Sequence, residues 1–309
     1  MAIIITETPP WVQIVLFPLS RMLKRIVHAK HLLIIWFILI VAACATLRTV
    51  PRQELEYLAA GGPARFFFAS SGGSVEGYFA RPRGDGPFPL VLLLHGHSIR
   101  GVGAKLLLPL AKFFTDEICF ASLAISLPGY GDTDVPDGPM IVNTRQVVRD
   151  AMALAKEISW IDGKRVYLYG VSRGAVIAAA VLNEIDGVAG AVLRSGAYDL
   201  GRLYRETSSF WLRRMLNPNG DKQPKLFDLL PETTSWRVPI LILHGAEDTL
   251  IPVNQAILLR DRLRAAGSVH RLIVFSGHGH RLPTRETREQ ALLFFREHAG
   301  PACNVASDS

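Results

Sequence analysis

Cysteine is scarce. Only three occur in 309 residues, Cys44, Cys119 and Cys303, and their separations match no zinc-ligand spacing and no disulfide framework. Cys119, inside an apolar run, reads as core packing, and Cys303, in a polar tail, reads as a solvated thiol that an exported protein can oxidise. A large excess of one charge is also missing. The net charge is +7, but residues 1–43 hold four cations (Arg21, Lys24, Arg25, Lys30) against Glu7 alone, which leaves +4 for the rest. That balance gives no reason to expect a nucleic-acid partner. Internal repeats and low-complexity tracts are absent. The glycine-rich segments near residues 72 and 101 lack the strand-turn-helix setting of a phosphate loop or a dinucleotide fingerprint, so no cofactor and no metal is implied.

What is present in excess is apolar. With 49% hydrophobic and 20% charged residues, the chain has an ordinary globular core plus something unusually greasy. The excess lies in front: Leu32 to Leu47 reads LLIIWFILIVAACATL, sixteen residues without a charge, behind the four cations. A basic flank followed by an apolar run is the export pattern, and the run suits the core of a signal peptide better than a full bilayer span of roughly 20 residues. Val41-Ala42-Ala43-Cys44 also has the form of a bacterial lipobox, the more so if translation begins at Met22. Three outcomes stay open for residues 1–47: a lipoprotein anchored through Cys44, a retained signal anchor, and cleavage after a small residue such as Ala45. Each makes the protein exported, and the first two associate it with a membrane on the periplasmic or extracellular side.

Residues 48–63 mix Arg, Glu, Pro and Gly and are expected to be a linker. A hairpin follows around Ser71-Gly72-Gly73, then a strand at Leu90–Leu94 apolar on both faces, which ends in His95-Gly96-His97. A helix is expected over 106–114, a strand over 118–127, a turn at Pro128-Gly129-Tyr130-Gly131-Asp132, and a helix over 143–158 capped by Asn143. Strands at 166–171, 188–193, 238–244 and 270–275 alternate with helices at 175–182, 254–266 and 285–298. That order implies a mostly parallel sheet flanked by helices. Residues 199–237 interrupt it and read as a small cap, whose Tyr204, Phe210 and Trp211 are expected more as core than as substrate wall. Residues 299–309 read as a flexible tail.

The stretch Val166-Tyr167-Leu168-Tyr169-Gly170-Val171-Ser172-Arg173-Gly174-Ala175 organises the rest. An apolar strand stops at a serine between two glycines and small residues follow, the setting in which G-x-S-x-G lifts a serine hydroxyl above a sheet edge. A serine attacks only if an imidazole takes its proton, and the imidazole needs a carboxylate to fix its tautomer. The chain offers Glu247 and Asp248 after one later strand, and His278 and His280 after the next. All lie at strand C-termini, on the edge where open parallel sheets place their ligands.

In this order of serine, acid and histidine, the chain resembles an α/β-hydrolase over residues 64–298, nearest the prolyl-oligopeptidase-like and dienelactone-hydrolase-like branches. The resemblance implies Ser172 as nucleophile, Asp248 as orienting acid in preference to Glu247, and His280 as general base in preference to His278. It also implies an oxyanion hole from the backbone N–H groups of His97 and Arg173. His95 and His244 read as structural. Arg173 reads as a packed or solvent-facing residue of the elbow, with contact to an acidic substrate group as the rival. The expected reaction is cleavage of an ester or thioester of a small acyl substrate through an acyl-enzyme, because the domain of about 235 residues lacks the gating domain in front of full prolyl oligopeptidases. A peptidase or amidase uses the same residues, and an inactive membrane-tethered binding protein is the rival of another class.

Overall fold

The computed structural model describes residues 52–136, 142–217, 219–222, 226 and 228–299. The apolar segment 1–47 with Cys44, and Cys303 in the tail, lie outside the described residues. Among the described residues no helix is long and apolar enough to cross a membrane.

Eight strands form one sheet: β1 (Ala64–Ser70), β2 (Gly73–Ala80), β3 (Phe88–Leu94), β4 (Ala121–Ile125), β5 (Ile161–Val171), β6 (Val188–Arg194), β7 (Ile240–Gly245) and β8 (His270–Phe275). Their spatial order is β1-β2-β4-β3-β5-β6-β7-β8. The β1–β2 and β2–β4 pairs are antiparallel and the other five are parallel. The sheet is mostly parallel, as the α/β-hydrolase resemblance implies.

Alternation along the strands supplies two cores. Leu90, Leu92 and Leu94 of β3 face one layer with Val147, Ala151, Ile177 and Leu259. Val91 and Leu93 face the other with Phe114, Tyr167, Leu241 and Phe295. A period of two with both faces covered explains why β3 is apolar at every position and wholly buried. The described helices are α1 (Arg52–Glu56), α2 (Leu108–Ile118), α3 (Val142–Lys156), α4 (Arg173–Val181), α5 (Leu200–Glu206), α6 (Phe210–Leu216), α7 (Asn254–Ala265) and α8 (Thr284–Ala299).

Some local expectations need correction. The stretch expected as a linker carries α1, whose Leu55 is buried in the first core and whose Leu55 carbonyl accepts the Trp160 indole N–H at 3.2 Å. Apolar content alone could not separate the end of α2 from the strand after it: the helix runs to Ile118, and Cys119 ends it in the left-handed region at φ 53°. Cys119 is also disulfide-bonded, so it does more than fill the core. Asn143 sits inside α3, where its side-chain amide donates to the carbonyl of Pro136.

Chain order runs outward from β3 to β4, then crosses β3 to place β5 on its other side. Adjacent strands whose connections leave in opposite directions open a crevice at their C-terminal ends. The loop 95–97 and Ser172 stand at that crevice.

Candidate active site

Ser172 occupies a strained turn. Its φ of 52° and ψ of −115° lie where residues with a Cβ seldom go, at a cost of order 1–3 kcal/mol that persists only when surroundings enforce it. The flanking glycines show what enforces it. A Cβ at Gly170 would meet the Gly174 carbonyl oxygen at 2.3 Å, and one at Gly174 would meet the Leu94 carbonyl oxygen at 2.0 Å. Strand β5, helix α4 and strand β3 therefore approach more closely than any side chain permits. The Ser172 N–H donates to the Arg194 carbonyl at 2.8 Å, which pins the turn to the end of β6.

The three predicted side chains meet. His280 Nε2 lies 3.0 Å from Ser172 Oγ, and His280 Nδ1 lies 2.7 Å from Asp248 Oδ2. The other Asp248 oxygen accepts the N–H groups of Leu250 at 3.0 Å and Ile251 at 2.9 Å. Burial alone would raise the carboxyl pKa, but hydrogen bonds from His244, His280 and the Ile251 N–H outweigh it and hold the group well below the ordinary carboxylate range. Of these, His244 is the weakest partner: its Nε2 lies 3.4 Å from Asp248 but 2.8 Å from the Ile251 carbonyl, which takes its proton. Such an acid is ionised at working pH and accepts from Nδ1–H, leaving Nε2 of a neutral His280 to face the serine.

The rivals are elsewhere. Glu247 is exposed, and His278 Nδ1 contacts the carbonyl of Ser276 in its own loop at 2.9 Å. The acid and histidine loops are nonetheless one unit, because the Glu247 N–H donates to the His278 carbonyl at 3.0 Å. Gly245 packs so tightly there that a Cβ would lie 2.3 Å from the same oxygen.

The loop His95-Gly96-His97 passes directly beside the serine, with the Cβ position of Gly96 3.2 Å from Ser172 Cβ. His95 is fully buried. Its Nε2 accepts the Leu127 N–H at 3.0 Å and its Nδ1 lies 2.7 Å from the Gly96 carbonyl. Burial pushes its pKa down to about 4, as suits a neutral ring serving backbone groups. Residue 97 is exposed, and its Nδ1 lies 2.5 Å from the Tyr130 hydroxyl. The Arg173 guanidinium donates to that same hydroxyl at 3.2 Å and lies over the Tyr130 ring.

The described residues of the 199–237 segment stand at this edge of the sheet. Gln255, fully buried at the start of α7, accepts the N–H groups of Tyr198 and Asp199 and donates to the Asp199 carbonyl. Asp199 caps α5 and Ser209 caps α6. The Thr207 hydroxyl reaches the Leu250 carbonyl at 3.4 Å, beside the acid loop. Phe210 and Trp211 are not core: they are 71% and 78% exposed and pack edge to face against each other.

Sequence reasoning passed over Arg194, Ser195 and Gln255. Arg194 and Ser195 close β6 on the same edge as the serine. The Arg194 guanidinium donates to the Leu282 carbonyl at 3.1 Å, and the Ser195 hydroxyl lies 3.3 Å from the His280 carbonyl. Polar residues at the C-terminal end of a buried parallel strand were the available signal. Among the described residues, no group of three or more His, Cys, Asp or Glu side chains is placed to hold a metal ion.

Comparison with known proteins adds four findings. A model of the prolyl oligopeptidase family matches residues 142–301. The chain is 24% identical over 234 residues to the uncharacterized peptidase YtmA of Bacillus subtilis, covering 72% of this chain and 87% of that one. It is 22% identical over 244 residues to the esterase YjfP of Escherichia coli, covering 69% and 90%. The acylaminoacyl peptidase of Pyrococcus horikoshii superposes with a TM-score of 0.65 at 14% identity, over 80% of this chain; the chain spans only 43% of that structure's length. That last likeness concerns the fold.

Proposed function

The chain belongs to the prolyl oligopeptidase family and is a serine hydrolase, and on that footing we propose that it cleaves an ester or thioester of a small acyl substrate through an acyl-enzyme on Ser172. His280 takes the serine proton as Oγ attacks the carbonyl carbon, and Asp248 holds the imidazole in the tautomer that can take it. The carbonyl π electrons move onto oxygen, where the N–H groups of His97 and Arg173 stabilise the oxyanion. Collapse expels the leaving group, which receives its proton from His280. Water activated by the same imidazole then attacks the acyl-enzyme, and the acid product leaves. The observation that carries this reading is the unbroken run of contacts from Asp248 through His280 to Ser172, at 2.7 and 3.0 Å.

Similarity to an esterase over 90% of that protein's length supports the ester reading. The peptidase reading draws on the match to YtmA and uses the same residues. Turnover of a panel of short- and long-chain esters, thioesters and peptide amides by the wild type, with Ser172→Ala as control, tests the choice. Faster ester and thioester cleavage supports the proposal, and amide turnover exceeding ester turnover replaces it with the peptidase.

We further infer that the enzyme acts outside the cytoplasm, attached to a membrane through residues 1–47, first through a lipidated Cys44. Support comes from the basic flank and apolar run of the sequence, and from the disulfide at Cys119, a bond that oxidising compartments sustain. Mass spectrometry of the mature N-terminus tests it: a diacylated Cys44 is the expected result, and an intact 30–47 segment refutes the lipoprotein.

A further inference from the structure

The turn after β4 takes no part in the chemistry described above, yet it touches the oxyanion loop and the elbow at once. Its Tyr130 is 7% exposed, and one hydroxyl contacts both His97 Nδ1 at 2.5 Å and Arg173 Nη1 at 3.2 Å. Hydrogen-bond capacity fixes the direction of one of these two contacts. A guanidinium only donates, so the phenol oxygen accepts from Arg173. The contact with His97 Nδ1 takes its direction from the His97 tautomer, since the phenol oxygen both donates and accepts.

The turn that carries Tyr130 is itself held from below. Glu76 on β2 is wholly buried and accepts from the Tyr78 hydroxyl at 2.7 Å, the Ser126 hydroxyl at 2.7 Å and the Asp132 N–H at 3.2 Å. It also pairs with Arg65 at 2.8 Å. Gly131 lies against it so closely that a Cβ would come within 2.1 Å of Glu76 Oε2. A second bolt joins the turn to the loop, the Leu127 N–H on His95 Nε2. The turn is thus a fixed platform, and Tyr130 joins it to both oxyanion candidates.

We propose that Tyr130 is a positioning residue of the oxyanion hole: its hydroxyl latches the side chains of His97 and Arg173 together, and so sets the separation of their two backbone N–H groups. The inference rests on the assignment of those N–H groups in the proposed function. A preorganised pair of donors stabilises the oxyanion more than the neutral carbonyl, so a looser pair lowers turnover without weakening substrate binding.

Tyr130→Phe removes the hydroxyl and keeps the ring packed against His95 and His97. The wild type, Tyr130→Phe and Ser172→Ala are compared for kcat and KM on one ester, for inhibition by an alkyl trifluoromethyl ketone, and for thermal unfolding. The ketone adds to the serine and places an oxyanion in the hole. Tyr130→Phe is expected to lower kcat about tenfold, a fraction of the roughly 10²- to 10³-fold cost of losing one donor outright. KM stays within about twofold, the ketone weakens by the same factor as kcat/KM, and the unfolding temperature holds. Unchanged kcat and ketone affinity overturn the inference, as does a loss in which KM rises and the unfolding temperature falls together. Turnover retained by Ser172→Ala overturns the acyl-enzyme reading beneath it. If Tyr130→Phe does not fold, His97→Phe cuts the same latch while keeping the residue 97 N–H, and the same criteria apply.

Discussion

Arg194 holds the nucleophile and the base loop with two different atoms: its carbonyl accepts the Ser172 N–H at 2.8 Å, and its guanidinium donates to the Leu282 carbonyl at 3.1 Å. The backbone half of this link survives substitution, while the side-chain half does not. Arg194→Met is expected to lower kcat about tenfold with KM little changed, since the loop carrying His280 loses an anchor two residues away. Stability should fall by about 1–3 kcal/mol, because the buried Tyr169 hydroxyl loses its hydrogen bond with the Arg194 guanidinium, a loss partly offset by removing Arg194 Nε, which is buried without a hydrogen-bond partner. Steady-state kinetics alongside chemical denaturation separate the two effects; wild-type kcat would show that the contact does not position the base.

The elbow glycines make a stability prediction. Gly174→Ala forces a Cβ to within 2.0 Å of the Leu94 backbone oxygen, and backbone on both sides cannot step aside as a flexible side chain can. The variant should lose at least ~3 kcal/mol or fail to fold. Gly220→Ala, with open space around it but φ at 71°, should cost about 1 kcal/mol by strain alone. Equal unfolding midpoints for the two variants would contradict the packing account.

Much of this was legible in the chain itself. Alternation of strand and helix dictated a parallel sheet, and glycines on either side of Ser172 announced a backbone contact that the 2.0 and 2.3 Å approaches express. The choice of Asp248 over Glu247 came from resemblance, and burial of one beside exposure of the other gives its physical basis. Phe210 and Trp211 were misjudged because hydrophobicity reports a preference for burial, whereas a short cap helix has too little neighbouring structure to bury both faces. Contacts such as Arg194 to Leu282, 88 residues apart, leave no local pattern in the sequence. They exist only once parallel strands bring their ends to one edge.

Those exposed rings carry a prediction of their own. Phe210→Ser with Trp211→Ser should leave the unfolding temperature within a few degrees, because neither ring fills the core. Leu212→Ala, at the next position in sequence and only 7% exposed, should cost about 2–4 kcal/mol. Thermal unfolding of the two variants checks this, and a large loss from the double serine variant would mean that the rings are covered in the folded protein.

Acid should unfold the enzyme in stages. The His95 pKa is about 4 in the folded protein and near 6.5 in the unfolded chain, so between those values the unfolded state binds the extra proton. Stability is therefore full above about pH 6.5 and falls toward pH 4, by on the order of 3 kcal/mol at most. Glu76 and Asp248 continue the loss at lower pH. Burial works against ionisation of both, but hydrogen bonds outweigh it and depress both folded pKa values; their contribution is complete above the unfolded carboxylate range and vanishes as the folded groups protonate. His95→Gln can still accept the Leu127 N–H and does not titrate. Denaturant midpoints measured against pH should lose their slope between about pH 6.5 and 4 in that variant, and an unchanged slope would assign it to another group.

The most direct test of the central claim is covalent labelling with a fluorophosphonate probe, followed by mapping of the modified peptide. An activated Ser172 predicts one adduct on that residue in the folded wild type, lost in Ser172→Ala and strongly slowed in His280→Ala. An adduct on another serine, or no labelling of folded wild-type protein, would contradict the account.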